Sequence, residues 1–155
     1  MSLELATFEE MPNGPELKAA DLLRDGNLDG TSKNQLFFSF VAESTDDQGQ
    51  SKLVGYSISF FSYSTWQGKS YFLEDIYVKP EQRKTGVGKK LFAANVNFAI
   101  EESCSRFDFH VLNWNPAKKF YESASIGATN LSAKEGWEFY RLNRVEMERL
   151  VDNIQ

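Results

Sequence analysis

The segment Arg83-Lys84-Thr85-Gly86-Val87-Gly88, here termed the glycine turn, constrains the fold of this chain more than any other feature. An apolar run that ends at Val78 precedes it, and a run with helical apolar spacing follows it. Glycines at the start of a helix let backbone N–H groups approach an anion without hindrance from a Cβ atom, and the helix N-terminus carries partial positive charge. The feature therefore predicts a strand, a turn and a helix that together can receive a pyrophosphate.

The glycine turn matches neither common nucleotide-binding motif. It lacks the GxxxxGK[ST] pattern of the P-loop, and Gly86-Val87-Gly88 has no third glycine to complete the dinucleotide fingerprint. Two glycines before a helix also occur as simple turn chemistry. The turn alone thus indicates an anion at a helix N-terminus, and the function has to come from its context.

Apolar periodicity and turn residues divide the chain into short elements. The turn cluster Pro12-Asn13-Gly14-Pro15 separates two helical segments, and Asn115-Pro116 and Gly127 are a start and a stop for a later helix. The predicted elements are helices over 4–11 and 15–23, strands over 35–43, 52–63 and 70–78, a helix over 86–103, a strand over 106–112, a helix between 115 and 127, and a strand over 137–142.

These elements predict an α/β (α+β) fold with one mixed central sheet. The first three strands follow one another through tight turns and should be antiparallel, whereas the strand after the glycine-turn helix should be parallel in a βαβ unit. Along that helix Val87, Leu91, Ala94 and Phe98 form one apolar stripe that should face the sheet. The 155 residues fit a single domain over 1–155.

The composition limits which binding partners and which cellular compartment are expected for the protein. The net charge of -5 disfavours nucleic acid, which needs a basic face, and favours a cationic small molecule. Cys104 is the single cysteine, so neither a disulfide framework nor a Cys-rich metal site is expected, and we interpret it as a helix-end thiol without a catalytic role. No apolar run reaches the roughly 18 residues of a membrane span. We therefore expect a cytoplasmic protein without membrane contact.

Four further segments surround the glycine turn: Tyr63-Ser64-Thr65-Trp66, Leu73–Val78, Trp114-Asn115 and Glu135-Gly136-Trp137. Together with the [RQ]-x-x-G-x-[GA] pattern of the turn, they resemble the GNAT superfamily of N-acetyltransferases. Within it they are similar to the spermidine/spermine acetyltransferase family, closest to its thialysine acetyltransferase branch. The resemblance runs from about residue 4 to 142. It implies a GNAT-like fold, acetyl-CoA (coenzyme A) as co-substrate, no metal, a small cationic amine as substrate and a homodimer.

The resemblance also implies roles for individual residues. Tyr121 would protonate the coenzyme A sulfur, because a phenol is an un-ionised donor at neutral pH. Glu74 would collect the amine proton through water. Asp75, Glu135 and Glu9 would hold cationic nitrogens, and Trp66 and Trp137 would offer aromatic faces to the amine. The coenzyme would be held by Ile76, Tyr77, Val78, Arg83, Lys84, Thr85, Gly86, Val87, Gly88, Lys89 and Asn115.

Glu74 and Asp75 are neighbours on one predicted strand. Adjacent residues of a regular strand point to opposite faces, so both can line one site only if the strand bulges there. We therefore predict a β-bulge at this point. Such a bulge would also open the strand pair, so that the pantetheine arm can bond to the backbone near Ile76 and Val78.

The chain departs from the family pattern at several positions. Lys84 stands where the family usually has glycine, and Ser64 stands where the polyamine-specific branch has an acid, which favours a shorter amine or an amino acid such as thialysine. The spacing from Asn115 to Tyr121 is one residue shorter than in the family. The family's first strand and most of its first helix have no counterpart before Glu4, from which we expect a truncation or an isoform.

Two other functions fit the sequence. A non-catalytic acyl-CoA-binding or dimerisation module would explain the missing first strand and the altered spacing before Tyr121. An acetyltransferase that acts on a peptide or protein amine is the other alternative, and it is disfavoured by carboxylates expected to select polycations.

Overall fold

The computed structural model of the protein describes residues 1–11, 13–30 and 32–154, so Pro12 of the predicted turn cluster lies outside the described residues. It contains a first unit that ends at Leu112 and a second that begins at Asn113. The prediction of one domain over the whole chain stays a prediction. The elements are α1 (Ser2–Phe8), α2 (Ala19–Asp25), β1 (Phe38–Thr45), β2 (Ser51–Ser64), β3 (Gly68–Val78), α3 (Val87–Glu101), β4 (Phe107–Phe109), α4 (Lys118–Tyr121), α5 (Leu131–Glu135) and α6 (Arg144–Ile154).

The sheet of the first unit has the predicted mixed topology. Its strand order is β1-β2-β3-β4 among the described residues. The β1–β2 and β2–β3 pairs are antiparallel hairpins, and β4 lies parallel to β3 after the crossover through α3. The predicted fold class is confirmed, although β4 is shorter than the predicted strand over 106–112 because its pairing with β3 covers three residues.

The predicted β-bulge is present at Glu74. In the β2–β3 ladder Ile58 lies opposite Asp75, and Ser59 lies opposite Leu73, so Glu74 is an extra residue without a partner on β2. One extra residue in a strand shifts every later side chain to the other face. The bulge therefore changes which face of the sheet β3 presents on either side of this point.

Packing on the two sides of the sheet shows this change of face. Tyr71, before the bulge, lies against α3, with its ring centroid 5.5 Å from that of Phe98. Tyr77, after the bulge, packs with Leu5 of α1 and with Tyr56 in a separate cluster. Odd-numbered residues of β3 thus face α3 up to the bulge and the α1 cluster beyond it.

Helix α3 buries a different stripe from the predicted one. Of Val87, Leu91, Ala94 and Phe98, Leu91 is fully buried and the other three are half-buried. The fully buried positions of the helix are Leu91, Phe92, Asn95 and Ala99. An apolar pattern leaves out Asn95, which is a polar residue at the centre of the buried stripe.

Asn95 fastens α3 to β2 through a buried hydrogen-bond network. The Ser59 hydroxyl donates to Asn95 Oδ1 at 2.7 Å, and Asn95 Nδ2 donates to Ser57 Oγ at 2.8 Å and to the Leu91 carbonyl at 2.8 Å. The side chains of Asn95, Ser57 and Ser59 are all at 0% exposure. Because buried polar groups are stable only when paired, this network fixes both the rotation and the height of α3 over the sheet.

The second unit contains less regular structure than predicted. Helix α4 ends at Tyr121 instead of reaching Ile126, and the Ser123 hydroxyl bonds to the Phe120 carbonyl at 2.6 Å. A serine hydroxyl that donates to a backbone carbonyl in this way competes with the hydrogen bonds that would continue the helix. The predicted strand over 137–142 is wrong: these described residues form no strand, and their large side chains are exposed instead of half-buried in a sheet.

Helices α1 and α2 are also shorter than the predicted helices. The second begins at Ala19 instead of Pro15, and Lys18 is its extended N-cap residue, whose backbone N–H donates to Asp21 Oδ2 at 3.0 Å. This capping interaction sets the start of the helix. The order of helices and strands through the first unit is nevertheless the predicted one.

Replacement of Asn95 tests the buried network. Asn95→Leu should lower the free energy of unfolding by about 2–4 kcal/mol, because it leaves the buried Ser57 and Ser59 hydroxyls without the amide to which they bond. The triple variant Ser57→Ala/Ser59→Ala/Asn95→Leu should recover a large part of that loss. Urea denaturation of both variants measures this, and an Asn95→Leu protein as stable as the wild type would contradict it.

Candidate active site

Three predicted substrate-binding carboxylates lie together in the first unit, and we term them the acid cluster: Glu9, Glu74 and Asp75. Glu9 caps the C-terminal end of α1, and the other two are at the bulge. Partial burial and then the negative charges of Asp75 and Glu74 raise the pKa of Glu9. The fold thus brings the N-terminal acid to the bulge, as the prediction of a shared site requires.

Asp75 is the most enclosed member of the acid cluster. Burial raises the pKa of Asp75; a hydrogen bond from Tyr56 opposes this and the charge of Glu74 adds to it. The Tyr56 hydroxyl donates to Asp75 Oδ2 at 3.2 Å, and burial followed by the Asp75 charge raises the pKa of Tyr56 well above its ordinary value. Tyr56 therefore stays a neutral phenol that holds this carboxylate in place.

The acid cluster has no cationic partner in an ion pair within the described part of the chain. Among the described residues, no ion pair involves Glu9, Glu74 or Asp75. Neighbouring carboxylates in a partly buried place repel one another, and an added cation lowers that repulsion. The arrangement is suited to an ammonium group supplied by a ligand.

The edge of β3 beyond the bulge, here termed the open edge, is not paired with β4. The Lys79 N–H donates to the Val54 carbonyl of β2 at 2.9 Å. Because backbone groups of a strand alternate between its two edges, Tyr77 also faces β2, whereas Ile76 and Val78 point to the other edge. Pairing of β4 with that edge ends at Leu73. The backbone groups predicted to hold the pantetheine arm therefore face an edge that β4 leaves uncovered.

The glycine turn has the geometry that an anion site needs. Gly86 is the N-cap of α3 with φ 91°, a conformation that favours glycine, and no side chain or distant backbone lies within 4 Å of where its Cβ would be. The first bond of the helix joins the Lys90 N–H to the Gly86 carbonyl at 3.0 Å. The N–H groups of Val87, Gly88 and Lys89 consequently have no partner within the helix. They can converge on a phosphate.

Lys84 and Thr85 shape the turn before the helix. Lys84 has φ 64°, which places a residue with a Cβ in the left-handed region that glycine occupies at lowest cost. The Thr85 hydroxyl donates to the Gln82 carbonyl at 2.7 Å. The turn therefore holds Lys84 in a backbone conformation that suits the glycine expected there from the family resemblance.

Arg83 directs its guanidinium to the protein. Its Nε donates to the Val78 carbonyl at 3.0 Å. The guanidinium carbon lies 5.0 Å from the centroid of the Phe8 ring and 5.6 Å from that of Tyr77. The residue predicted to hold the coenzyme therefore contacts α1 and β3 in the structure.

The second unit contains four predicted site residues, Asn115, Tyr121, Glu135 and Trp137. The Asn115 Oδ1 accepts from the Ala117 N–H at 2.9 Å, but α4 begins at Lys118 with Ala117 as its N-cap, so the prediction of Asn115 as the N-cap is wrong. Tyr121 is buried, and burial raises its pKa, so the phenol keeps its proton at neutral pH. The Trp137 indole donates to Glu135 Oε2 at 3.1 Å, and both side chains are exposed.

Trp66 lies away from the acid cluster. It is in the turn between β2 and β3 and is 88% exposed, and the Ser64 hydroxyl accepts from its N–H. Six ladder positions separate Ser64 from Ile58, the partner of Asp75, which corresponds to about 20 Å along the strand. The structure does not bring Trp66 to the three carboxylates.

Other chemistry is limited in the described part of the chain. Burial raises the pKa of Cys104, which favours the thiol over the nucleophilic thiolate. No group of three or more His, Cys, Asp and Glu side chains in that part is arranged to hold a metal ion. None of its helices has both the length and the apolarity that crossing a bilayer requires.

A family model supports the interpretation of these features. Residues 4–125 match the acetyltransferase (GNAT) family, and this range contains the acid cluster, the open edge, the glycine turn and Tyr121. The chain belongs to the GNAT family of acetyltransferases. It is an amine N-acetyltransferase, as its named relatives indicate.

Two curated relatives show how much of the chain is shared. Thialysine N-epsilon-acetyltransferase of Sus scrofa is 36% identical over 154 residues, which cover 97% of this chain and 87% of that protein. Spermidine/spermine N(1)-acetyltransferase-like protein 1 of Homo sapiens is 42% identical over 146 residues, or 93% of this chain. The chain spans 20% of the length of that second relative.

Solved structures share the fold at low sequence identity. An integron cassette protein from the mobile metagenome of V. cholerae has a TM-score of 0.68 and 22% identity, and covers 97% of this chain and 86% of its own. The aminoglycoside acetyltransferase AAC(6')-Iy, in complex with the bisubstrate analog CoA-S-monomethyl-acetylneamine, has a TM-score of 0.59 and 20% identity, and covers 83% of this chain and 82% of its own. The mixed sheet with its flanking helices is therefore a GNAT fold.

Removal of the Asp75 charge should stabilise the ligand-free protein. The folded-state pKa of Asp75 is raised, so its ionised form is disfavoured by folding, and this cost is present above the folded pKa and is lost as the pH falls below the ordinary value of about 4. Asp75→Asn should raise the melting temperature by a few degrees at pH 7–8, and the gain should vanish near pH 4. Thermal unfolding measured across this range tests it.

The control for this experiment is Asp47→Asn, which makes the same charge change in the exposed β1–β2 loop. It should leave the melting temperature nearly unchanged at pH 7–8. If Asp75→Asn destabilised the protein at neutral pH, the assignment of a repelled carboxylate would be wrong.

Substitution at Lys84 separates backbone strain from charge. Lys84→Gly and Lys84→Ala both remove the ammonium, but only glycine adopts a positive φ at low cost, so the glycine variant should be more stable by about 1 kcal/mol. At Lys89, within the helix, the order should reverse, since glycine is the poorer helix former. Urea denaturation of the four variants measures both differences, and the same order at the two positions would refute the left-handed conformation at Lys84.

Proposed function

We propose that the protein transfers the acetyl group of acetyl-CoA directly to a primary amine of a small polyamine, diamine or lysine analogue such as thialysine. One observation carries the proposal: the bulge at Glu74 places the acid cluster at the point where the open edge of β3 begins. An amine held by the carboxylates would thus lie beside a donor bound along that edge. Proximity of this kind removes much of the entropic barrier of a two-substrate reaction.

Recognition of the amine rests on the acid cluster. Glu9 and Asp75 are partly buried carboxylates with raised pKa values and would bind a cationic nitrogen of the substrate. The net charge of -5 would attract such a cation at long range. The relatives named as thialysine and spermidine/spermine-type acetyltransferases support this substrate class.

Glu74 is suited to removal of the amine proton. An amine attacks a thioester only in its neutral form, so an ammonium must first give up a proton. Glu74 is the extra residue of the bulge, it is exposed, and it is close enough to Glu9 for its charge to affect the pKa of that residue. A proton can pass from the amine through water to this carboxylate.

Tyr121 is suited to protonation of the departing thiolate. Its raised pKa keeps the hydroxyl protonated, which a general acid requires. Acetyl-CoA supplies the activated thioester when it is bound. The N–H groups at the start of α3, the cationic side chains of Lys84 and Lys89 and the backbone of Ile76 and Val78 would hold it, and the bisubstrate-analog complex of AAC(6')-Iy supports such a donor for this fold.

We further propose that the protein is a cytoplasmic homodimer. Support for self-association comes from the second unit, where large apolar side chains are exposed on 137–142 and on α6. Such patches occur commonly at protein interfaces. Sedimentation velocity tests the dimer, and a monomer at micromolar concentration would contradict it.

A substrate panel tests the proposed function. Purified protein is mixed with acetyl-CoA and with spermidine, putrescine, thialysine or a histone peptide, and free thiol is measured over time. We expect turnover of at least one small amine and less of the peptide. Coenzyme binding without turnover would instead favour the non-catalytic module, and preference for the peptide would favour a protein-directed enzyme.

Two variants test the assigned roles. Glu74→Gln and Tyr121→Phe should each lower kcat by about 100-fold or more with a smaller effect on coenzyme affinity, because they remove proton-transfer groups. The matched controls are Glu43→Gln on β1 and Tyr63→Phe at the end of β2, both exposed, which should retain wild-type rates. Wild-type kcat in both site variants would refute the proton-transfer roles.

A further inference from the structure

The contacts of Arg83 join the glycine turn to the helix that carries Glu9. The guanidinium lies over the rings of Phe8 and Tyr77, and its Nε bonds to the outward-pointing carbonyl of Val78. Phe8 is the last residue of α1, and Glu9 is the next residue in the chain. The Arg83 side chain therefore contacts both the open edge of β3 and the end of α1.

A continuous set of contacts leads from Arg83 to the acid cluster. Tyr77 packs with Tyr56 and Leu5, and Phe8 packs against the same cluster. The Tyr56 hydroxyl in turn bonds to Asp75. The position of the α1 end relative to the bulge is thus set by side chains that Arg83 covers.

Helix α1 depends on such contacts because it is short. It has seven residues, of which Leu5 and Ala6 are fully buried, and helices of this length are unstable without tertiary packing. A cation over an aromatic ring contributes about 0.5–1 kcal/mol at an exposed site, and Arg83 has two such rings and a hydrogen bond. Loss of these contacts would free the last turn of α1 and with it Glu9.

We infer that Arg83 is a positioning residue for the amine site: it holds the end of α1 so that Glu9 stays beside Asp75 and Glu74, and it is not chiefly a phosphate ligand. This inference rests on the proposed function for its substrate readout. To bind phosphate, the Arg83 side chain would have to give up its contacts with Phe8, Tyr77 and the Val78 carbonyl. The two roles predict different losses when Arg83 is replaced.

Arg83→Met keeps an apolar stem and removes the charge and the Nε donor. Calorimetry measures coenzyme A binding to the free protein and then spermidine or thialysine binding to the coenzyme-saturated protein. We expect amine affinity to fall about tenfold, and coenzyme affinity to fall no more than in Lys89→Met, which removes a charge from the same region. A coenzyme loss of tenfold or more, steeper with salt and with unchanged amine affinity, would overturn the inference.

A double-mutant cycle tests whether Arg83 acts through Glu9. If it does, Arg83→Met/Glu9→Gln should bind the amine no more weakly than Glu9→Gln alone, because the position of an absent carboxylate no longer matters. Arg83→Lys, which keeps a cation near Phe8 but loses the planar fork, should restore part of the amine affinity. Additive losses in the double variant would contradict the positioning role.

Hydrogen exchange gives a readout that does not depend on catalysis or on amine binding. Backbone amides of residues 5–9 should exchange about tenfold faster in Arg83→Met than in the wild type, and at the wild-type rate in Lys89→Met. Wild-type exchange in Arg83→Met would refute the bracing of α1. A wild-type protein that neither binds nor acetylates an amine would refute the proposed function, while the exchange result would still decide the role of Arg83.

Discussion

The extra residue at Glu74 is the constraint on which the geometry of the first unit depends. Because of it, β3 packs Tyr71 against α3 on one face and Tyr77 against α1 on the other. The same residue marks where pairing with β4 stops, so the open edge and the acid cluster begin at one point of the chain. A regular strand would turn Asp75 to the other face of the sheet and away from Tyr56. A single inserted residue therefore produces the open edge and the acid cluster and brings them close together.

The place of the glycine turn depends on a second interaction, the buried bonds of Asn95. A helix that packs only through apolar side chains can rotate or slide by small amounts at little cost, because such contacts are not directional. The amide of Asn95 bonds to Ser57 and Ser59, which are two residues apart on β2, and so permits one orientation of α3. Gly86 caps that helix, so the N–H groups that would receive phosphate are held at a fixed height above the sheet. The polar groups in this core determine the orientation of α3 more than the overall stability of the fold.

Local rules were sufficient for the parts of the structure that short segments determine. The hairpins and the crossover helix follow from alternation and turn residues, and the bulge at Glu74 follows from the shared site that the family resemblance implies for two adjacent acids. Asn95 and Tyr56 could not be found in this way, because their importance arises from which strand residues lie opposite them, and that register appears only in the folded sheet. The strand over 137–142 failed for the same reason, since alternating apolar residues form a strand only where a partner strand is available. Arg83 was assigned from its place in a motif, whereas one of its contacts is Phe8 of α1, 75 residues earlier in the chain.

The unfavourable elements of the first unit lie at the places where ligands are proposed to bind. Lys84 adopts a left-handed conformation in the glycine turn, and the carboxylates of Glu9 and Asp75 are held partly buried beside like charge. Neither feature stabilises the folded chain, and the surrounding structure keeps each in place, as the Tyr56 hydroxyl does for the Asp75 carboxylate. A cationic amine at the acids would relieve the repulsion, so its binding should be coupled to the stability of the fold. The protein would then be least strained with such an amine bound, and the acids that raise its energy in the empty state would also select that ligand.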